Sequence, residues 1–545
     1  MMKLTILAIS LMACTQLSAA DLTLKIKHRY LNFPISHRMD RKKMVMKVKD
    51  KEYCRFVIRL AEDNPDYWVF QDVSDLMGKS ITFSYEGSDK ALAQIRQEDA
   101  PHDAAEIYHE AERPQYHFTT RRGWINDPNG LVYADGKYHL YYQHNPYERD
   151  WENMHWGHAV STDLLHWDEK PDALHPDSIG TIFSGSAVVD VANTSGFAKK
   201  KGQQPIVALY TADHPKYQRQ CVAYSLDGGT TFTKYAGNPV IDSHAKWQSH
   251  DTRDPFVFWY QPKQRWVMVL NERDGHSIYN STDLKHWEYK SHVTGFWECP
   301  GLFELPVEEN PSERLWVMWG ASGTYMVGHF DGETFTPVTP KQSNQNGSAY
   351  AAQVFNCLPT ADSRVIKMVW GRLTFDGASF NGFMLLPQRQ TLHKTALGYQ
   401  LYSYPVKETE RLFTKVAEAD NMNADKANEL MAPFKDNDML HIRATLHFTY
   451  ATDGGLSYRG QRLVNYDLNG NRLNGDFYAK ATPTSTDLDI DVYIDRSVVE
   501  VYADNGAFSY SIKRDVNSKN PDGYRFWGNQ IEVKHLEVSR AQSIW

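Results

Sequence analysis

Apolar and polar residues alternate in short runs near the start of the chain. "DLTLKIK" places Leu22, Leu24 and Ile26 on one face, and "SITFSYEG" repeats the pattern further on. A period of two is typical of strands that bury one face. The alternation therefore predicts a small β-module over residues 21–97, and the polar stretch after it is interpreted as a linker over residues 98–112.

The middle of the chain repeats a strand, a polar turn and an aromatic residue. The four copies end at Trp167, Phe232, Trp287 and Phe335, and the first and third share "STDL", one further residue and "HW". Copies roughly 50–65 residues apart fit one four-stranded propeller blade per repeat. A later segment, "NGFMLLPQRQTL", would complete a fifth blade. We predict a five-bladed β-propeller over residues 113–404, with a β-sandwich of coincidental hairpins as the alternative.

The last part of the chain changes character. Residues 405–430 are charged and are interpreted as a second linker. The stretch "DLDIDVYIDRSVVEVYADNGAFSYSI" then alternates again and contains Asn505-Gly506, a dipeptide typical of tight hairpins. This pattern predicts a C-terminal β-sandwich over residues 431–545, so the predicted fold class is all-β.

The N-terminus "MMKLTILAISLMAC" has one lysine and then an apolar run that is too short to span a bilayer. It predicts a signal peptide over residues 1–20 and export to the periplasm or cell envelope of a bacterium. "LMAC" resembles a lipobox, in which Cys14 would be lipidated and would supply the only membrane attachment. Cleavage after Ala20, giving a form without the lipid, is the alternative.

Composition narrows the choice of partners. A net charge of −8 argues against nucleic acid, whose phosphates require a basic surface. Aromatic residues make up 13% of the chain, and their faces suit both sugar rings and β-cores. The four cysteines beyond Cys14 form no CxxC pair and no zinc or disulfide framework. The sequence indicates no oligomeric state.

Three acidic residues lie in distinctive contexts: Asp127 in "WINDPNG", Asp254 in "DTRDPFVFW" and Glu298 in "GFWECPG". Asp127 and Asp254 precede proline, which disfavours the helical region and predicts an extended backbone at a strand end. The innermost strands of a propeller begin at its central channel. Carboxylates placed there from different blades would therefore converge.

The neighbours of these carboxylates predict two different environments. Apolar residues around Glu298 would desolvate its carboxyl and favour the neutral acid, whereas Asn126 and turn amides would keep Asp127 ionised. One neutral acid and one charged carboxylate are what glycosidic bond cleavage requires. Taken singly, each motif also has a structural interpretation: a turn, an Arg–Asp pair and a partly buried glutamate.

Together these motifs carry a resemblance. "WINDPNG", "YYQHNP", "FSGSAVV", "RDP" and "WECPGLFEL" follow one another in the order typical of glycoside hydrolase family 32, the β-fructosidases. That family includes invertases, inulinases, levanases and fructan exohydrolases. The resemblance implies a five-bladed propeller followed by a β-sandwich, and some bacterial members are similar in having an extra N-terminal β-module.

The resemblance also implies roles for individual residues. Asp127 would be the nucleophile, Glu298 the general acid/base and Asp254 the stabiliser of the transition state, in a retaining reaction with the two catalytic carboxyls about 5–5.5 Å apart. The substrate-binding residues that it implies are Asn126, Gln143, Trp151, Phe183, Ser184 and Arg253. It implies neither a metal nor an organic cofactor.

One departure from the family pattern lies before "YAAQVFN". Members often have an acidic segment similar to "LDYGxDF" there, whereas this chain has "SNQNGSA". The preference among levan, inulin and sucrose therefore stays open. The predicted function is an exported, exo-acting fructan β-fructosidase. An endo-levanase or endo-inulinase, or a catalytically weak fructan-binding protein, are the alternatives.

Overall fold

The computed structural model describes residues 20–448, 453–480 and 485–545. The predicted signal peptide, with Cys14, lies outside the described residues except for Ala20. No helix within the described ranges is long and apolar enough to cross a bilayer. The chain divides into two compact units, one ending at Ala104 and the other beginning at Ala105, and each is described by itself.

The first unit consists of a four-stranded sheet in the order β1-β6-β3-β4 and a three-stranded sheet in the order β5-β2-β7. Phe33, on the second sheet, makes edge-on contacts with Phe56 and Phe83 of the first, which joins the two sheets through a buried core. The strands and the short α-helix of this unit are β1 Ala20–Lys25, β2 Tyr30–Ile35, β3 Lys42–Val48, β4 Lys51–Ile58, β5 Tyr67–Asp72, β6 Ser80–Tyr85, α1 Asp89–Leu92 and β7 Arg96–Glu98.

The second unit begins with a five-bladed propeller, as predicted. Each blade is an antiparallel sheet of four main strands, and the first strand of each blade is innermost. The first three blades and one intervening helix comprise β8 Gly123–Ala134, β9 Lys137–Asn145, β10 His155–Ser161, β11 Asp168–Leu174, β12 Thr181–Val189, β13 Ile206–His214, β14 Tyr217–Ser225, β15 Thr233–Lys234, α2 His244–Trp247, β16 Thr252–Tyr260, β17 Arg265–Glu272, β18 Gly275–Ser281 and β19 Glu288–Thr294.

The fourth and fifth blades are followed along the chain by the sandwich. Four short strands in this stretch are not main strands of these blades. β24 and β29 pair with β22 and β27 of the two blades, β25 pairs with a strand of the sandwich, and β28 pairs with β8 of the first blade. The elements are β20 Gly301–Val307, β21 Asn310–Trp319, β22 Thr324–Phe330, β23 Phe335–Pro337, β24 Gln342–Ser343, β25 Gln345–Gly347, β26 Ala349–Val354, β27 Val365–Gly371, β28 Phe380–Asn381, β29 Phe383–Met384, β30 Gln388–Thr395 and β31 Gly398–Pro405.

The repeated "STDL" motif forms a capped turn between the third and fourth strands of a blade. In the first blade, Ser161 Oγ accepts a hydrogen bond from the backbone N–H of Leu164 at 2.8 Å, and Asp163 accepts one from that of His166 at 2.9 Å. The third blade repeats both bonds. These side chains satisfy turn amides that no strand can pair, which is why the motif recurs.

The C-terminal sandwich packs a seven-stranded sheet, β25-β40-β39-β38-β33-β42-β32, against a five-stranded sheet, β37-β36-β35-β34-β41. Its elements are β32 Phe413–Asn423, α3 Ala424–Met431, β33 Met439–Phe448, β34 Asp453–Tyr458, β35 Gln461–Asp467, β36 Arg472–Leu473, β37 Asp476–Phe477, β38 Asp487–Asp495, β39 Val498–Ala503, β40 Phe508–Lys513, β41 Tyr524–Gly528 and β42 Ile531–Ala541.

The interpretation of residues 405–430 as a linker differs from the structure. This segment contains the edge strand β32 and the helix α3, both built into the sandwich. Most side chains of β32 are exposed or half-buried because it pairs on one side only, so its sequence lacks the apolar alternation of an inner strand.

Candidate functional site

The innermost strands of four blades are kinked where they reach the central cavity. The pairing register shifts between Ile125 and Pro128 in β8, with similar shifts in β12, β16 and β26. An extra residue in one strand bends it and redirects a side chain, and such bulges are frequent beside active sites. Here they direct Asp127, Ser184 and Asp254 toward one place.

Two of the acidic residues have a backbone conformation that the sequence did not predict: the prediction for Asp254 was wrong, and none was made for Glu298. Asp254 precedes proline but is not extended, because its φ is +65°, in the left-handed region. Glu298 and Cys299, just before β20, have φ values of +52° and +41°. Non-glycine residues in this region are strained and tend to cluster at functional sites.

A cavity of about 500 Å³ opens on the propeller axis and is lined by residues from all five blades. All nine residues singled out from the sequence line it: Asn126, Asp127, Gln143, Trp151, Phe183, Ser184, Arg253, Asp254 and Glu298. The other six lining residues were not predicted from the sequence: Asp213, Gln218, His250, Asp251, Tyr350 and Trp370.

Asp127 is held by hydrogen bonds from three side chains. Ser184 Oγ donates to its Oδ2 at 2.6 Å, Asn126 Nδ2 donates to its Oδ1 at 3.0 Å, and the thiol of Cys299 approaches Oδ2 at 3.4 Å. Asn126 is in turn fixed by the indole N–H of Trp124 at 2.7 Å. Burial raises the pKa of Asp127, and the donated hydrogen bonds act against that rise.

Asp254 lies against the same thiol. Its Oδ2 accepts a hydrogen bond from the backbone N–H of Cys299 at 2.9 Å, and the Cys299 sulfur lies 3.6 Å from that oxygen. Burial raises the pKa of Asp254 to about 7, although the charge of Arg253 favours the ionised form. The two aspartates therefore share Cys299 as a neighbour, and the charge of Asp127 hinders ionisation of Asp254.

Glu298 has more polar surroundings than its sequence neighbours suggested. Arg253 donates to its Oε1 from Nη2 at 2.7 Å and from Nε at 3.2 Å, while the Tyr350 hydroxyl donates to Oε2 at 2.6 Å. The predicted apolar environment of Glu298 is thus not what the structure shows, whereas Asn126 does donate to Asp127. The partners of Glu298 come from distant strands, which the residues adjacent in sequence do not reveal.

Arg253 is itself fixed in the cavity wall. Its Nη1 donates to Asp251 at 2.6 Å and to Gln218 at 3.2 Å, and its guanidinium lies 5.1 Å from the ring centroid of Trp297. Five donors in a rigid fork allow one arginine to hold several acceptors at once. The wall of the cavity thus carries a fixed positive charge next to three carboxylates.

Two buried donors in the cavity wall have no acceptor among the described residues: Gln143 Nε2 and the indole Nε1 of Trp370. An unpaired buried donor costs about 1–3 kcal/mol, so such groups are uncommon without a ligand or solvent partner. Beside them Trp151 and Phe183 pack edge-to-face at 6.0 Å, with Trp151 half exposed. Apolar faces combined with free N–H groups suit a polyhydroxylated ligand.

Among the six other lining residues, Tyr350 donates directly to one of the three predicted acids, Glu298. Tyr350 begins the motif "YAAQVFN", but nothing in that motif predicts a hydrogen bond across 52 positions. Cys299 lies within the motif "GFWECPG", to which the sequence gives no thiol role. The structure adds that its thiol contacts both aspartates.

The cavity does not coincide with the cluster best placed to hold a metal ion. Within the described ranges, that cluster is Glu418, His535 and Glu537, on strands β32 and β42 of the sandwich. Lys415 already forms ion pairs with both glutamates, at 2.6 and 3.7 Å. Compensation of their charge by a lysine is an ordinary surface arrangement.

Comparison with known proteins identifies the family. The family model described as "Glycosyl hydrolases family 32 N-terminal domain" matches residues 117–405, the propeller just described. The chain therefore belongs to glycosyl hydrolase family 32 and is a glycoside hydrolase.

Individual relatives extend this match beyond the propeller. The chain is 37% identical over 496 residues to a levanase from Bacillus subtilis (strain 168), covering 81% of this chain and 72% of the levanase. It is 34% identical over 481 residues to an extracellular exo-inulinase from Aspergillus awamori, covering 73% and 88%. The crystal structure of exo-inulinase from Aspergillus awamori superimposes with a TM-score of 0.69 at 27% identity, over 80% of this chain and 100% of that one.

Proposed function

We propose that this protein is a retaining β-fructosidase that removes terminal fructosyl residues from a fructan. The observation that carries the proposal is the meeting of Asp127, Asp254 and Glu298, from separate blades, in one cavity with unpaired buried donors. The names of its relatives, levanase and exo-inulinase, support a fructan as the substrate class.

In this proposal each of the three carboxylates has a separate role in the reaction. Asp127 attacks the anomeric carbon, and Glu298 gives a proton to the departing oxygen, which leaves a covalent fructosyl–enzyme. Glu298 then takes a proton from water, which attacks the same carbon and restores Asp127. Two inversions give net retention. Asp254 holds fructosyl hydroxyls and opposes the positive charge that develops on the ring.

The donors around the acids support these roles. Ser184 and Asn126 fix Asp127 in one rotamer, so it need not reorganise to attack. Arg253 and Tyr350 occupy both oxygens of Glu298, which fixes the plane of its carboxyl group. Gln143 and Trp370 offer unpaired N–H groups for sugar hydroxyls.

The shape of the cavity supports exo action. Because residues of all five blades line it, it is bounded on every side, as a pocket for a chain end is. An endo-acting enzyme needs a groove open at two ends. The proposal therefore predicts fructose as the first product.

Time-resolved digestion of levan, inulin and sucrose tests both parts of this function. Fructose alone from the earliest time is expected, and NMR of the first-formed anomer should show retained configuration. Early oligosaccharides would indicate an endo-acting enzyme, and an inverted anomer would overturn the mechanism. An Asp127→Ala variant should fold normally and hydrolyse at least about 10³-fold more slowly. If the wild type binds fructan without cleaving it, a fructan-binding protein replaces this proposal.

We also propose that the protein is exported, either anchored through a lipid on Cys14 or released by cleavage after Ala20. The apolar run and the "LMAC" motif support this proposal. Mass spectrometry of the mature N-terminus from a bacterial host tests it: a diacylglyceryl Cys14 supports the anchor. A chain that begins at Asp21 would establish export without the lipid.

A further inference from the structure

Tyr350 is the partner of Glu298 that comes from the fifth blade. Its hydroxyl donates to Oε2 at 2.6 Å, on the oxygen that Arg253 leaves free. A phenol that donates to one oxygen while a guanidinium holds the other leaves the carboxyl little freedom to rotate. Glu298 is thus positioned from two sides.

The Tyr350 ring is itself held in place. It lies 4.5 Å beneath the guanidinium of Arg372 and packs edge-on to Trp370 at 6.4 Å. The next residue, Ala351, has a φ of +49° where the register of β26 shifts, and its N–H donates to the carbonyl of Ala321 at 2.9 Å. The bulge therefore fixes the direction in which Tyr350 points.

The segment that ends three residues before Tyr350 is paired with the sandwich, whereas Ala349 pairs with Gly371 of the fifth blade. β25 runs parallel to β40, with Gly347 opposite Ser511. The N–H of Ser348 donates to the carbonyl of Ser511 at 2.9 Å, and the hydroxyls of these two serines lie 2.7 Å apart. One strand of the sandwich sheet thus ends at Gly347, three residues before the tyrosine.

This pairing involves the segment in which the chain departs from the family pattern, "SNQNGSA". The carbonyl of Asn344 accepts from both the N–H and the hydroxyl of Ser509 on β40, at 2.9 and 2.8 Å. Small polar residues allow this close approach. A Cβ on Gly347, whose φ is +75°, would lie 2.1 Å from the Ser511 carbonyl oxygen.

We propose that the C-terminal sandwich positions the acid/base of this enzyme: β40 holds β25, β25 fixes Tyr350, and Tyr350 orients Glu298. The inference rests on the proposed function, since it takes Glu298 as the acid/base. Tyr350 is then a positioning residue, because it acts on the reaction through Glu298.

The contact between Tyr350 and Glu298 is tested by comparing kcat/KM on two substrates with different leaving groups. Tyr350→Phe keeps the ring and removes only the hydroxyl. We expect kcat/KM on a fructan, whose leaving group needs a proton, to fall at least about tenfold. On p-nitrophenyl β-D-fructofuranoside, which needs no proton at departure, it should fall less than about threefold. Equal losses on both substrates would overturn the proposal, because a merely structural role would affect both alike.

Gly347→Ala tests the link to the sandwich. Its Cβ should push β25 away from β40 and reproduce the selective loss on the fructan. The matched control is Gly196→Ala, where φ is +70° but nothing lies within 4 Å of the added Cβ. If Gly347→Ala does not fold, Ser509→Ala removes one hydrogen bond of the same pairing and should give a smaller loss in the same direction. Wild-type selectivity in the folded variants would overturn the role of the sandwich.

The two proposals fail in different ways. A wild-type protein that cleaves neither substrate would refute the proposed function. A wild-type protein that cleaves both, with a Tyr350→Phe variant that loses both equally or neither, would refute the positioning role alone.

Discussion

The guanidinium of Arg253 donates two hydrogen bonds to one oxygen of Glu298, at 2.7 and 3.2 Å. This pair joins the strand that carries Asp254 to the turn that carries Glu298. Because Arg253 also holds Asp251 and Gln218, its position is fixed before any ligand binds.

Arg253→Lys should separate this fork geometry from positive charge alone. A lysine cannot make several fixed bonds from one planar group, so kcat/KM should fall roughly 10–100-fold, equivalent to about 1–3 kcal/mol. Arg314→Lys is the control, because Arg314 pairs with Glu304 on the exposed part of a blade. Steady-state kinetics on a fructan measure this fall in kcat/KM. A fall of less than twofold would show that a positive charge at this position is enough for activity.

Asp254→Asn should change how stability depends on pH. Burial raises the pKa of Asp254 to about 7 in the folded protein, against a usual 3.8. Between these values the folded state keeps a proton that the unfolded chain releases, so the free energy of unfolding falls as pH rises through this window. The amide cannot ionise, so the variant avoids that fall.

Relative to the wild type, Asp254→Asn should therefore be more stable at pH 8 than at pH 4, by roughly 3–4 kcal/mol. Activity should be lost at both pH values. Calorimetry of both proteins at the two pH values measures the difference. An equal difference at pH 4 and pH 8 would show that Asp254 titrates normally in the folded protein.

Gln143→Leu should have opposite effects on binding and on stability. Its buried Nε2 has no acceptor among the described residues, so an apolar side chain of similar size removes an unsatisfied donor and should leave the melting temperature unchanged or raise it. A fructosyl unit would lose a hydrogen bond, so KM should rise roughly tenfold. A fall in melting temperature without a change in KM would instead indicate a structural role for Gln143.

The strand pattern and the convergence of the three acids could be predicted from the sequence, but the residues that hydrogen-bond to these acids could not. The alternation of apolar and polar residues and the repeated "STDL" turn indicate strands that pair with their neighbours along the chain. The propeller and the sandwich could therefore be predicted. The bulges at Asp127 and Asp254 arise where one strand has an extra residue relative to the strand it pairs with, and that register is set by tertiary structure. Proline after Asp254 even favoured an extended backbone, and tertiary packing prevailed over that local preference.

The electrostatic environments could not be predicted for the same reason. Glu298 meets Arg253 and Tyr350 across 45 and 52 positions, so its apolar sequence neighbours gave the wrong environment. The strand β32 was missed for a different reason. It is a half-exposed edge strand, so its sequence lacks the apolar face by which a strand is recognised.

A buried histidine connects the propeller to the sandwich. His117 Nδ1 lies 2.8 Å from Asp495 and its Nε2 lies 2.6 Å from Glu500, and all three side chains are buried. Asp495 also accepts the backbone N–H groups of Gln115 and Tyr116 at 2.6 and 2.8 Å. Burial opposes the charge of His117, but the two carboxylates outweigh it and raise the pKa of His117 to about 9.

His117→Gln should therefore destabilise the protein in a pH-dependent way. A raised histidine pKa contributes stability that is complete below about pH 6.5 and is lost as pH rises through about 9. Breaking a buried pair leaves carboxylates uncompensated, so the free energy of unfolding should fall by about 3–5 kcal/mol at pH 6 and by less at pH 10. His286→Gln, at an exposed histidine that contacts Asp283, should change little at either pH. Urea unfolding of all three proteins at pH 6 and pH 10 gives these differences. A loss for His117→Gln that is the same at both pH values would show that the imidazole joins the propeller to the sandwich as a neutral group.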